Sequence, residues 1–317
     1  MEEPSTTPYE LVGQHSSSRL VLVMRTAGPL ILAIAGSALT PLPCAFSLTG
    51  VTAGGLVLLA IGAANLYTTI LMVRAAARCG TSGYEEVMEE AGGAAARSWC
   101  QFALFVLLFG SVCTCLSVIQ ETAAHAIAEL ALRTHWPLAK WLAFTSLGRA
   151  SLLCGLTATL LLPLSLASMG ELLLVSLVGV GMMVVLCAYV LWLALVPPGH
   201  PTITTVFDPA AIEPPIRSTA AYFLGVPTAA STFGYAFYIQ PCALPLLRTL
   251  PKGDAGADIL TEALYVTFAF TACAYLIVGV GGLLIFGQGH VPQDLLQGFS
   301  GRTGGYLSGF FCLYLCL

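Results

Sequence analysis

The chain has 317 residues, 57% of them hydrophobic and only 9% charged. A soluble domain carries about 25% charged residues, so a soluble globular protein is excluded. The net charge of -4 and the scatter of the 12 Lys and Arg residues leave no basic stripe for nucleic acid. Several apolar stretches reach the roughly 20 residues needed to cross about 30 Å of hydrocarbon. The fold class is therefore an all-α polytopic membrane protein, integral and multi-pass, whose first partner is the lipid bilayer.

The first 18 residues, MEEPSTTPYELVGQHSSS, are polar and start acidic. They lack a signal peptide's basic start and cleavage site and read as a disordered cytoplasmic tail. The transmembrane domain then covers 19–317. Span 1 runs from about Leu20 to Phe46, interrupted by Pro29, Gly36, Pro41 and Pro43. Span 2 covers about Val51–Val73, span 3 about Ser98–Leu130, span 4 about Ser151–Ser165 and span 5 about Glu171–Val196. Span 6 covers about Ser218–Leu247 and span 7 about Leu260–Phe286. Span 8 begins near Tyr306 and is still running at Leu317. About twelve residues cannot cross a bilayer, so the sequence is expected to be a fragment of a longer protein.

Positive charge orients the chain. With the N-terminus inside, Arg19, Arg25, Arg74, Arg78, Arg97, Arg248 and Lys252 are cytoplasmic. Arg133, Lys140, Arg149, Arg217 and Arg302 are then outside. Two connections have a character of their own. The stretch GYEEVMEEAGGAAARSW, 83–99, can form a short amphipathic helix at the interface, or be an ordinary charged loop. The outer loop 197–217, rich in Pro and Thr, reads as irregular.

A broken transmembrane helix strands backbone N–H and C=O groups, and survives only inside protein or beside a wet cavity. There the N-terminal end of a half-helix meets a carboxylate and the C-terminal end meets an amine or cation. Span 1 has such a stretch in AIAGSALTPLPCAF, 33–46, and span 6 has one around Gly234, with Pro241 and Pro245 downstream. Single prolines usually only kink a helix. Two multiply interrupted spans five apart are the mark of an inverted-repeat transporter.

These residues carry a resemblance. GSALTPLPCAFSLTG (36–50), GYEEVMEEAGG (83–93), LLLPLSLASMGELLLVSLVG (160–179) and FGYAFYIQPCALPLLRTL (233–250) resemble, in order, stretches of the amino acid/auxin permease family. The nearest branch is that of the sodium-coupled neutral amino acid transporters. The resemblance implies a leucine-transporter-like inverted-repeat fold of eleven helices. This chain would supply helices 1–7 and the start of 8, with the rest of 8 and 9–11 lacking. It implies symport of small neutral amino acids with sodium or protons. It also implies a cation site between span 1 and a hydroxyl of span 8 beyond Leu317. Ala38 stands where the family usually has a second Gly, Cys44 where it has an aromatic, and Leu32 where it often has Asn.

The expected substrate site is the backbone of Gly36, Ser37, Ala38 and Leu39 with that of Gly234, Tyr235 and Ala236. Phe237 and Tyr238 either wall the side-chain pocket or simply pack. The Ser37 and Thr40 hydroxyls are candidate ligands for a sodium ion, although Ser and Thr in membrane helices more often bond their own helix. Glu121 and His125, i and i+4 late in span 3, share a face and can relay a proton; a solvated helix end is the plainer reading. The sequence offers no nucleotide loop, catalytic triad or metal-ligand set, so an enzyme is not expected and no cofactor beyond the coupling Na+ or H+ is implied. Rival readings are a non-transporting amino-acid sensor on the same fold, a seven-helix receptor, and a truncated inactive product.

Overall fold

All the elements described are helical. The computed structural model describes residues 8–134, 137–162, 169–195, 219–287, 291–299 and 301–316. Helix α1 (Pro8–Ala35) is followed by a 3-10 turn (Ser37–Leu39) and α2 (Leu42–Thr49). Then come α3 (Val51–Cys79), α4 (Tyr84–Thr134), α5 (Pro137–Phe144) and α6 (Ser146–Leu156), which runs into a π turn (Thr157–Leu161). Helices α7 (Met169–Leu195), α8 (Thr219–Ala236) and α9 (Gln240–Leu246) precede a 3-10 turn at Leu247–Thr249. Helix α10 (Asp254–Phe286), a 3-10 turn (Leu295–Gly298) and α11 (Gly301–Cys316) complete the chain.

Four of the described helices are long and apolar enough to cross a membrane: Val51–Cys79, Tyr84–Ala131, Val175–Leu195 and Asp254–Phe286. Their outward faces are apolar too. Leu56, Phe105, Phe109 and Trp192 are all exposed, as side chains that face lipid should be. Helix α10 is the pillar of the bundle, packed against α1, α2, α3 and α7. Its glycines allow that closeness. A Cβ at Gly279 would sit 2.4 Å from the Phe46 ring, and one at Gly282 would sit 2.5 Å from Pro43. Small residues on one helix thus let α2 lie directly against α10.

Several boundaries differ from expectation. Helix α1 begins at Pro8, within the stretch read as a disordered tail; residues 1–7 lie outside the described ones. The stretch 84–99 is helical, not a loop, and it is continuous with span 3 except at Gly93, whose φ of 73° and ψ of -171° turn the chain. Only glycine takes that backbone conformation cheaply. Helix α5 was not anticipated: PLAKWLAF lies in a stretch read as loop. Helix α11 begins at Gly301, ahead of Tyr306. The outer loop 197–217, the joint at 163–168 and the side chains of Glu171 and Ser37 fall outside the described residues.

Three of the arginines have polar neighbours. Arg19 pairs with Glu262, and the Arg248 Nε donates to the Ser82 hydroxyl at 2.9 Å. At the other end Arg149 lines a cavity with Asp294.

Candidate functional site: two interrupted helices

Span 1 stops at Ala35 and restarts at Leu42. Gly36 takes φ -43° and ψ -117°, which no helix contains. Pro43 falls within the first two residues of α2, where a missing N–H leaves no bond unmade. Span 6 stops at Ala236 and restarts at Gln240, with Pro241 in the equivalent early position. The break in span 6 is therefore Phe237–Ile239. Gly234, Tyr235 and Ala236, expected to form the gap, are the last helical residues before it. A glycine flanked by good helix neighbours does not end a helix, whereas a proline fixes where the next one begins.

The two breaks meet. The Tyr275 hydroxyl, on α10, lies 2.9 Å from the Ile34 carbonyl and 2.7 Å from the Ala236 carbonyl. Both carbonyls belong to the last turn of a half-helix, where the intrahelical partner is missing. A phenol has one hydrogen to donate, so it is shared between two acceptors that retain capacity for more. Tyr275 itself is fully buried.

Aromatic rings hold the junction. Phe237 stacks on Phe268 with centroids 5.6 Å apart and meets Tyr275 edge-on at 5.1 Å. Its ring is fully buried, and it packs so closely on α3 that a Cβ at Gly62 would lie 3.1 Å away. Phe237 thus packs in the core. Beyond the second break Gln240 donates to the Asn65 Oδ1 at 2.9 Å, and the Tyr84 hydroxyl donates to the Gln240 carbonyl at 2.6 Å.

Beside the breaks is a cavity of about 450 Å³ lined by Thr40 and Pro41, by Thr114, Val118 and Glu121 of α4, and by Ser231, Thr232 and Tyr235 of α8. Gln293 and Asp294 stand at the side where α10 ends. Of the expected site residues, Thr40 and Tyr235 reach this cavity. Ala38, Leu39 and Ala236 are buried in the core. Gly36 and Gly234 each have room beside them: a Cβ at Gly36 would meet nothing closer than 3.9 Å, and one at Gly234 nothing within 4 Å. Tyr238 lies within the break, near Tyr84 and Cys242.

A second cavity, of about 340 Å³, adjoins the first and shares Glu121 and Asp294. His125, Thr122 and Arg149 line it. Glu121 is exposed and His125 half-buried; the His125 Nδ1 lies 2.9 Å from the hydroxyl of Ser308, a buried residue of α11. The Thr122 hydroxyl is buried with no protein partner. Sequence reasoning missed Tyr275, Asn65, Gln293 and Asp294. Asn65, the one asparagine of the sequence, is a polar residue in an apolar span and could have been singled out; Tyr275 and the two loop residues gave no such signal.

The family profile described as transmembrane amino acid transporter protein matches residues 22–315. The chain belongs to that family. The match takes in both breaks, the cavity beside them and every helix from α2 to α10. No curated protein and no solved structure matches this transporter-family chain.

Proposed function

We propose that the chain is a secondary active transporter of small neutral amino acids, coupled to sodium or protons, in which the two helix breaks form the substrate site. The observation that supports this most is the meeting of the breaks at Tyr275. Two half-helix C-terminal ends, those of α1 and α8, converge on one point, which suits an amine or a cation. The start of α2, across the first break, suits the carboxylate. The adjoining cavity of about 450 Å³ falls in the size range of small-molecule sites, roughly 300–1,000 Å³.

The reading includes the inverted-repeat architecture and alternating access. Spans 1 and 6 would rock against the remaining helices, and the coupling ion would favour one arrangement over the other. The quoted motifs favour the sodium-coupled neutral branch. Ser37 and Thr40 remain the proposed cation ligands on span 1, and 19–317 the transporter domain.

The test is radiolabelled uptake of a panel of small neutral amino acids into proteoliposomes, under a sodium gradient, a proton gradient, or neither. Gradient-driven accumulation is expected from one of the first two, and Gly234→Leu abolishes it while the variant stays folded. Binding of an amino acid with no flux under any gradient identifies a sensor instead. Uptake unaffected by Gly234→Leu removes α8 from the site.

A further inference from the structure

The loop between α10 and α11 is tied to the first helix break. The Leu295 N–H donates to the Thr40 carbonyl at 3.0 Å, and Thr40 is a wall of the larger cavity. Leu295 opens the 3-10 turn Leu295–Gly298, and Asp294 caps it: the carboxylate accepts from the Leu296 N–H at 2.9 Å. Other described residues of the loop are anchored. Leu295, Leu296 and Phe299 are buried, and the Phe299 ring lies 5.2 Å from that of Phe286. Asp294 therefore sets the geometry of the turn whose first N–H reaches the break.

Asp294 also stands where the two cavities meet, with Glu121 and His125 facing it from α4 and Arg149 from α6. The titratable groups that meet here, Asp294, Glu121 and His125, can each hold a proton. Resting on the transporter reading, we propose that Asp294 is a proton-binding residue that controls the loop beside the larger cavity, holding the 291–299 segment down on the Thr40 break when protonated and releasing it when ionised.

The sign follows from the surroundings. Burial raises the Asp294 pKa above the usual carboxylate range; the Leu296 N–H opposes this, Glu121 adds to it and His125 opposes it. In a released loop Asp294 is hydrated, and its pKa returns toward that range. The latched loop thus has the higher affinity for the proton, so acid favours latching. The latch loosens as pH rises through the raised pKa. A protonated carboxyl keeps an acceptor oxygen for the Leu296 N–H, so the cap persists without the charge.

Hydrogen exchange of the 291–299 segment, in the full chain in lipid nanodiscs and corrected for intrinsic pH dependence, tests this. Protection is expected to fall from acid to neutral pH in the wild type. Asp294→Asn, neutral but still able to cap, stays protected at every pH. Glu121→Gln removes the repulsion and moves the transition to lower pH, and protection of α10 reports whether either variant is folded. A flat profile in the wild type, protection that rises with pH, an Asp294→Asn variant that keeps the wild-type profile, or an unmoved transition in Glu121→Gln overturns the proposal. The readout needs no flux, so failed uptake removes the transport reading alone.

Discussion

The Tyr275 hydroxyl stands 2.7 Å from the carbonyl oxygen of Ala236, and it bonds Ile34 with the same hydrogen. One side chain from α10 therefore terminates both interrupted helices. Tyr275→Phe keeps the ring that meets Phe237 and deletes only the donor. Two carbonyls in a dry interior then lose it, a loss of about 1–3 kcal/mol. Equilibrium unfolding in mixed micelles should show that fall. A variant as stable as the wild type would mean that the carbonyls have another source of satisfaction, and the shared cap would have to be given up.

Packing at α10 gives a second expectation. A methyl at Gly279 would press within 2.4 Å of the Phe46 ring, whereas one at Gly234 meets open space. Gly279→Ala should therefore destabilise by about 1–3 kcal/mol, as overpacked cores do, and Gly234→Ala should leave the melting temperature nearly unchanged. Combining Gly279→Ala with Phe46→Leu vacates the ring's volume and should recover part of the loss. Equal effects at the two glycines would show that α2 does not pack on α10 as described.

The contrast between the two breaks shows what a sequence can disclose. The first was legible because its causes are local: Gly36, Pro41 and Pro43 fall within eight residues and each disturbs the ladder where it stands. The second was placed three residues early, at Gly234, because the glycine was read as the cause and Pro241 as a further disturbance. Pro241 instead belongs to the first turn of α9, which puts the gap just before it. Pro29 and Pro227 lie inside helices without breaking them, so proline alone is an ambiguous signal. Tyr275 was not legible at all. Its two acceptors are 241 and 39 residues away, and no local pattern distinguishes a tyrosine that caps from one that packs. Asp294 was hidden for the same reason, since Leu295 meets Thr40 only through the fold.

Gln240 and Asn65 form a side-chain bond of 2.9 Å between α9 and α3. Asn65 also donates to the Ile61 carbonyl of its own helix, which fixes its orientation. Replacing both residues by Leu, singly and together, should give a coupling energy of about 0.6 kcal/mol and at most about 1.7, the range found for polar pairs between membrane helices. Stability measured across the four proteins of the cycle supplies it. Strict additivity would mean that the two residues act independently and that α9 is held by Tyr84 and the backbone alone.

Tyr235 and Phe237 are two residues apart yet are set to do different work. Phe237 is wholly buried between Phe268, Tyr275 and Gly62. Tyr235 is partly exposed and walls the cavity with Thr40 and Thr232. Truncating a packed aromatic costs about 3–5 kcal/mol, so Phe237→Ala should sharply reduce stability and lose uptake as a consequence. Tyr235→Ala opens a cavity already lined by polar groups, and changes at such accessible positions usually stay within about 0.5 kcal/mol. Its effect should appear instead as a raised KM for the amino acid, with the melting temperature kept. The reverse pattern, a tolerant Phe237 with altered substrate affinity and a structurally essential Tyr235, would move the binding pocket from the cavity into the aromatic junction.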